Sequence, residues 1–294
     1  MKFTQEKTTL IVSEVRDFDI AQTLECGQCF HFEKLREMEY GVVYKKNLLH
    51  IKQEGDKLYC FDTDEETFQK IWMDYFDLER NYAEIKQILV NSDERLTHAI
   101  KVNSGVRILN QDFTETLLSF IISQNKQIPH IRKIVRELSE KYGDFLGELS
   151  GIQFYAFPDE EQIANITEEN YRECKTGFRA PYLLDAGKKL QFSEYTTQNL
   201  KQAGYDEAKK ILMQIKGVGE KVANCVLLFA LGYRNAFPVD VWIKRIMEEM
   251  YFEDSADAQT IMKFAREKFG DYGGYAQQYL FYYAREKGIG KEKN

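Results

Sequence analysis

The stretch that most constrains this chain is 211–247, ILMQIKGVGEKVANCVLLFALGYRNAFPVDVWIKRIM. Apolar residues recur at three-to-four spacing on both sides of KGVG, which predicts two helices joined by a very short hairpin. Gly217 and Gly219 permit backbone conformations closed to other residues, so the chain can reverse within a few positions while Val218 turns into the apolar seam. The second helix then begins with free N–H groups at the positive end of its dipole. That makes Lys216 to Gly219 a place to hold a phosphate. On spacing alone, a plain helical turn with glycine caps fits equally well.

Two charged residues sharpen this picture. Lys221 follows the second glycine; Val222, Val226 and Phe229 share one face of its helix and should be buried, whereas Lys221 and Cys225 share a neighbouring face, so amine and sulfur can meet. A lysine near a helix N-terminus feels the positive dipole end, which favours the neutral amine that Schiff-base chemistry requires. Asp240, in FPVDVW, suits the N-cap of a third helix starting at Val241. Set beside Lys221 it would form an ion pair over the groove, able to relay a proton or to stabilise positive charge growing on a sugar.

The rest of the chain divides in two. Before residue 109, YGVVYKK, NLLHIKQ and KLYCFD read as strands, with Glu54-Gly55-Asp56 as a turn. EETFQKIWMDYF and ERNYAEIKQILV carry the helical period, and Ser92 is placed to cap DERLTHAIKV. After Leu109 the pattern is helical throughout, with no period-two strand. Asp112 and Glu115 fit a capping box, Pro129 and Pro181 fit first helical turns, and Thr167 caps EENYREC. The tail GIGKEKN is polar and should fray. The expectation is an α+β protein: an N-terminal domain (1–108) containing an antiparallel sheet, packed on a mostly helical body (109–294) that carries the helix-hairpin-helix.

Charge and cysteines bound the function. The net charge of −7 argues against nucleic acid only if binding relies on Lys and Arg, which amides at a hairpin can replace. No apolar run approaches the ~18–20 residues of a membrane span, and MKFTQEKTTL lacks a signal pattern, so a cytoplasmic protein without membrane contact is expected. Five cysteines, an odd number, do not suggest a secreted disulfide framework. Cys26 and Cys29 form a CxxC, but no second pair or HxxxH accompanies them, so no metal is expected.

Taken whole, LMQIKGVGEKVANCVLLFALGYRNAFPVD resembles the helix-hairpin-helix plus Gly/Pro-Asp motif of base-excision DNA glycosylases. Lysine at 221 is similar to the bifunctional glycosylase/lyases, most closely the 8-oxoguanine DNA glycosylases. LECGQCFHF, SFIISQNKQIPHI, KTGFRAPYL and YGGYAQQYLF match further blocks in the same order. No cysteine follows Cys225, unlike the iron–sulfur branch of endonuclease III.

The resemblance implies that a damaged nucleotide is flipped into a pocket. Lys221 would attack C1′ and Asp240 would assist, with no cofactor. The carbonyl of Gly27 would accept the N7 hydrogen that 8-oxoguanine has and guanine lacks. Gln277 would bond the Watson–Crick edge, with Phe281 stacked on one face of the base and Cys225 against the other. Asn125 would fill the gap in the duplex, Phe178 would wedge the stack and Arg179 would bond the orphaned cytosine. Gly217, Val218 and Gly219 would hold a phosphate. Where the family places a second arginine toward cytosine this chain has His130, and where it places a phosphate-binding histidine this chain has Trp242. The implied partner is duplex DNA containing oxidised guanine, met by a monomer. Competing functions are a monofunctional alkylbase glycosylase and a non-catalytic DNA-binding module.

Overall fold

The computed structural model describes residues 1–289, so 290–294 of the polar tail lie outside the described residues. Six strands form one antiparallel sheet: β1 (Lys2–Glu6), β2 (Thr9–Ser13), β3 (Phe32–Arg36), β4 (Glu39–Tyr44), β5 (Asn47–Glu54) and β6 (Lys57–Phe61), in the order β1-β2-β6-β5-β4-β3. Register aligns Leu10, Cys60, Ile51 and Tyr40 in one row across four strands. All four are fully buried, as the period-two alternation of a half-buried sheet requires. The row packs on Ile20 and Leu24 of helix α1 (Ile20–Glu25) and on Phe68, Trp72 and Phe76.

The segment read as one helix from Glu65 is interrupted by a wider π-type turn over Phe68–Trp72, which lets Phe68 and Trp72 both face the sheet. Helix α2 spans Tyr82–Ser92, and here one expectation is corrected. Ser92 is its last residue and donates to the Leu89 carbonyl, whereas Asp93 caps the next turn by accepting from the Arg95 N–H. An N-cap needs a non-helical backbone, which Asp93 has (φ −157°, ψ 109°) and Ser92, still inside α2, does not.

The larger core is helical. It gathers α3 (Phe113–Ile122), α4 (Ile128–Tyr142), α5 (Ala180–Lys189), α6 (Tyr205–Met213), α7 (Glu220–Phe229), α8 (Val241–Tyr251) and α9 (Gly273–Lys287). Asp112 accepts from the Glu115 N–H, and Thr167 forms a reciprocal capping box with Asn170. Contrary to expectation, this region also contains strands: β7 (Phe145–Leu149) and β8 (Ile152–Tyr155) make an antiparallel hairpin with an irregular register. Ser150-Gly151 at the turn and the register break at Gly147 blur the alternation, so no period-two signal survives in the sequence.

Buried Arg107 joins the two cores. Its guanidinium donates to the carbonyls of Arg16, Asp17 and Asp77 and lies 4.3 Å from the centre of the Tyr82 ring. The same junction holds Gln28, whose amide donates to the carbonyls of Thr23 (2.8 Å) and Arg107 (2.7 Å) while its oxygen accepts from Leu109 N–H (2.9 Å). One side chain thereby fixes the loop after α1 against the helical body.

Candidate active site

The hairpin is built as its glycines demand. Gly217 has φ of +79°, and a methyl group there would lie 2.4 Å from Tyr182 Cδ2, so only glycine permits both the turn and the packing on α5. Val218 is buried, and its N–H bonds the Ile215 carbonyl. Among the described residues the N–H groups of Gly219, Glu220 and Lys221 have no acceptor, as expected of the first turn of α7. Gln124 donates to the Gly217 carbonyl at 3.0 Å, and Asp185 accepts from the Lys216 N–H at 2.8 Å. These bonds tie the hairpin to the turn between α3 and α4 and to α5.

Behind the hairpin lies a cavity of about 560 Å³, lined by Gly27, Lys221, Cys225, Asp240, Gln277 and Phe281 among others. The loop after α1 and helices α7, α8 and α9 thus bring together six of the residues singled out in the sequence. Lys221 Nζ donates to Ser123 Oγ at 3.3 Å and stands 5.0 Å from the centre of the Phe120 ring. It also reaches Cys225, whose thiol is pushed up to about 11 by burial, with the nearby ammonium opposing the shift. Cys225 therefore presents a neutral thiol to the cavity.

Asp240 caps α8 as its position suggested, accepting from the N–H groups of Trp242 (3.0 Å) and Ile243 (2.9 Å). Burial raises its pKa above the usual carboxylate value, against the opposing pull of those N–H groups and of Lys221. The expected direct ion pair is absent: Lys221 bonds Ser123 and Asp240 bonds its own helix. One carboxylate oxygen, Oδ1, takes both cap bonds, and Lys221 acts on the carboxyl through its charge rather than through a direct bond. Gln277 is buried, with its Nε2 3.3 Å from the Pro238 carbonyl and its Oε1 without a partner. An unpaired buried amide oxygen in a cavity wall is an acceptor waiting for a ligand donor.

Asn125, His130, Phe178 and Arg179 do not line the cavity. Asn125 is exposed in a left-handed turn (φ +51°), a conformation asparagine tolerates better than most residues. His130 is exposed on the first turn of α4. Phe178 is 54% exposed, whereas Arg179 is 3% exposed and stacked 4.2 Å from its ring centre. Arg179 Nη1 donates to the Thr176 carbonyl and its Nε has no partner. An arginine held in this way must swing out before it can meet a base.

Ser123, Phe120 and Arg285 also line the cavity and were not singled out from sequence. Ser123 stands two residues before Asn125 within a block already noted. Arg285 follows Phe281 by four and Gln277 by eight, one face of one helix. Cys26 and Cys29 are buried free thiols that donate to the Thr23 and Leu24 carbonyls, and the described residues contain no cluster suited to a metal ion. No helix among them is long and apolar enough to cross a membrane.

A glycine hairpin opening a helix, a lysine at its mouth and a capping aspartate across a half-open cavity define the helix-hairpin-helix class of base-excision DNA repair proteins, whose superfamily model matches residues 118–270. Residues 10–117 match the N-terminal domain of 8-oxoguanine DNA glycosylase. The chain belongs to the 8-oxoguanine DNA glycosylase/lyase family. It is 30% identical to an N-glycosylase/DNA lyase of Arabidopsis thaliana over 276 residues, 88% of this chain and 75% of that one. Its fold superposes with a TM-score of 0.94 on the Clostridium acetobutylicum 8-oxoguanine glycosylase/lyase in complex with duplex DNA containing cytosine opposite 8-oxoguanine, at 38% identity over 98% and 99% of the two chains. A structure of MBOgg1 with a low-affinity DNA ligand gives 0.93 at 42% identity, over 98% and 100%.

Proposed function

We propose that this protein excises 8-oxoguanine from duplex DNA and then nicks the strand, with Lys221 as nucleophile and Asp240 as its electrostatic partner. The observation that carries this reading is the cavity itself, where an amine, a carboxylate and an unpaired amide oxygen line one half-open space. The ammonium of Lys221 gives a proton to solvent, its amine attacks C1′ of the flipped nucleotide, and the C1′–N9 bond breaks with its electron pair leaving on the base, which takes up a proton. Asp240 stabilises positive charge on the sugar as that bond lengthens. Loss of a proton from nitrogen and opening of the sugar ring give an imine to Lys221. Removal of a C2′ proton then expels the 3′ phosphate, and hydrolysis frees the enzyme.

The base pocket divides the recognition. The Gly27 carbonyl accepts the N7 hydrogen of the oxidised base, and a buried acceptor left unpaired by guanine costs about 1–3 kcal/mol, tenfold or more in selectivity. Gln277 bonds the Watson–Crick edge, while Phe281 and Cys225 sandwich the ring. The duplex lies across the hairpin, where Gly217 to Gly219 meet a phosphate and Asn125, Phe178, His130 and Arg179 occupy the gap and face the opposite base. Our reading of its location is cytoplasmic, on the nucleoid if the cell is bacterial.

The test is borohydride trapping on an 8-oxoguanine duplex. Wild-type protein should give a covalent adduct that Lys221→Gln lacks. Equal trapping by both proteins, or none by wild type, overturns the mechanism.

A further inference from the structure

Arg285 stands in the wall of the base cavity with one of its terminal nitrogens unused. Its Nη2 donates to the Glu25 carbonyl at 2.7 Å and lies 3.4 Å from Glu286. Its Nη1 is buried and has no acceptor. A methyl group on Gly27 would sit 2.9 Å from that nitrogen, 3.1 Å from Ile128 and 3.2 Å from Phe281, so Nη1 lies directly against the Gly27 turn. The guanidinium packs near the Tyr282 and Phe281 rings, 5.1 and 5.8 Å from their centres. With Gln277 and Phe281 at spacings of four along α9, Arg285 completes one helix face turned to the cavity.

A buried guanidinium N–H left unpaired is costly, and such groups in native proteins call for a ligand or a structural reason. The neighbours here are an aromatic ring suited to stacking a base and a carbonyl suited to its N7 hydrogen. We propose that Arg285 is a specificity-determining residue of the base pocket, bracing the Gly27 turn through the Glu25 carbonyl and donating Nη1–H to a carbonyl oxygen of the flipped oxidised purine. The inference rests on the excision reading above. A guanidinium cannot move the sugar's protons, since it stays protonated. Its contribution falls on recognition of the base and not on chemistry at C1′.

The experiment compares two duplexes, one with 8-oxoguanine and one with a preformed abasic site that leaves the base pocket empty. Arg285→Met keeps much of the volume and removes every donor; Arg285→Lys keeps a charge and a donor without the fork. Charge-assisted hydrogen bonds of this kind predict that Arg285→Met releases 8-oxoguanine about ten- to a hundred-fold more slowly under single turnover while cleaving the abasic duplex within about two-fold of wild type. Arg285→Lys should recover part of the loss. Equal losses on both duplexes, unchanged base release, or a lysine variant no better than methionine would overturn the assignment. If Arg285→Met does not fold, the ratio of the two activities in Arg285→Lys decides, and a ratio equal to that of wild type refutes it. Wild-type protein inactive on both duplexes would instead bring down the excision reading, a result seen before any variant is compared.

Discussion

Under the proposed mechanism Asp240 has two separable duties, and Asp240→Asn pulls them apart. As a cap its oxygen accepts two N–H groups of α8 at 2.9–3.0 Å, and asparagine keeps an oxygen in that place. Replacing charge-assisted bonds by neutral ones costs about 1 kcal/mol. Burial acts in the opposite direction, because it holds the carboxyl above its usual pKa. A group whose folded pKa is raised contributes its stability below the unfolded pKa and loses it as pH rises through the folded one. At neutral pH the ionised Asp240 therefore destabilises the fold relative to a neutral amide. The two effects oppose each other, so Asp240→Asn should melt within a few degrees of wild type at pH 7. Asp240→Ala loses the cap outright, about 1–2 kcal/mol, and should melt roughly 3–6 °C lower.

The chemical duty is larger. A carboxylate ~4.5 Å from a sugar bearing roughly half a positive charge, at an effective dielectric near 20, stabilises it by about 2 kcal/mol, or roughly 20- to 30-fold in rate. Single-turnover release of 8-oxoguanine at neutral pH should fall by that factor in Asp240→Asn while its melting curve barely moves. The wild-type rate should also decline on acidification as Asp240 takes up a proton, at a pH above that of an ordinary aspartate. The asparagine variant should lack this decline. A rate within two-fold of wild type across the pH range, or an asparagine variant as unstable as the alanine one, refutes the reasoning.

Three other outcomes follow from the geometry. Gly217→Ala must fit a methyl group 2.4 Å from Tyr182 at a φ of +79°, so it should lose about 1–3 kcal/mol of stability and bind duplex DNA more weakly, read by melting and by titration at several salt concentrations. Gln28→Leu strands the Thr23 and Arg107 carbonyls and the Leu109 N–H; a urea transition should report a loss of about 3 kcal/mol, and base release should suffer more than cleavage at a preformed abasic site, since the Gly27 turn is freed. His130→Arg adds a full charge and a forked donor at an exposed position beside the gap, so a panel with 8-oxoguanine opposite each of the four bases should shift toward cytosine. Comparable wild-type activity on several partners is the matching expectation, since an imidazole is shorter than a guanidinium and lacks its forked donor.

Features set by neighbours in sequence were legible before any coordinates. Gly217 and Gly219 declared the hairpin, Asp240 its cap, Thr167 and Pro129 their helix starts, and the β-branched and aromatic runs from Tyr40 to Phe61 three strands of the sheet. Each depends on backbone sterics or on hydrogen bonds reaching three or four residues, which residue type alone constrains. Arg285 was not read from the sequence, although it continues the four-residue spacing of Gln277 and Phe281.

The rest was decided by packing between distant segments. Lys221 and Asp240 share a cavity without touching, because Ser123, from α3, and the N-terminus of α8 claim their hydrogen bonds. The Gly27 turn meets Arg285 across some 260 residues of chain, through a side-chain bond to the Glu25 carbonyl that no local pattern encodes. Arg179 lies folded beneath Phe178, and β7 and β8 pair although their alternation is broken by the irregular register at Gly147. A helix face or a strand pattern states which side chains will seek burial. Which faces meet, and which polar groups are left over to receive a ligand, depends on the closure of long loops around two cores.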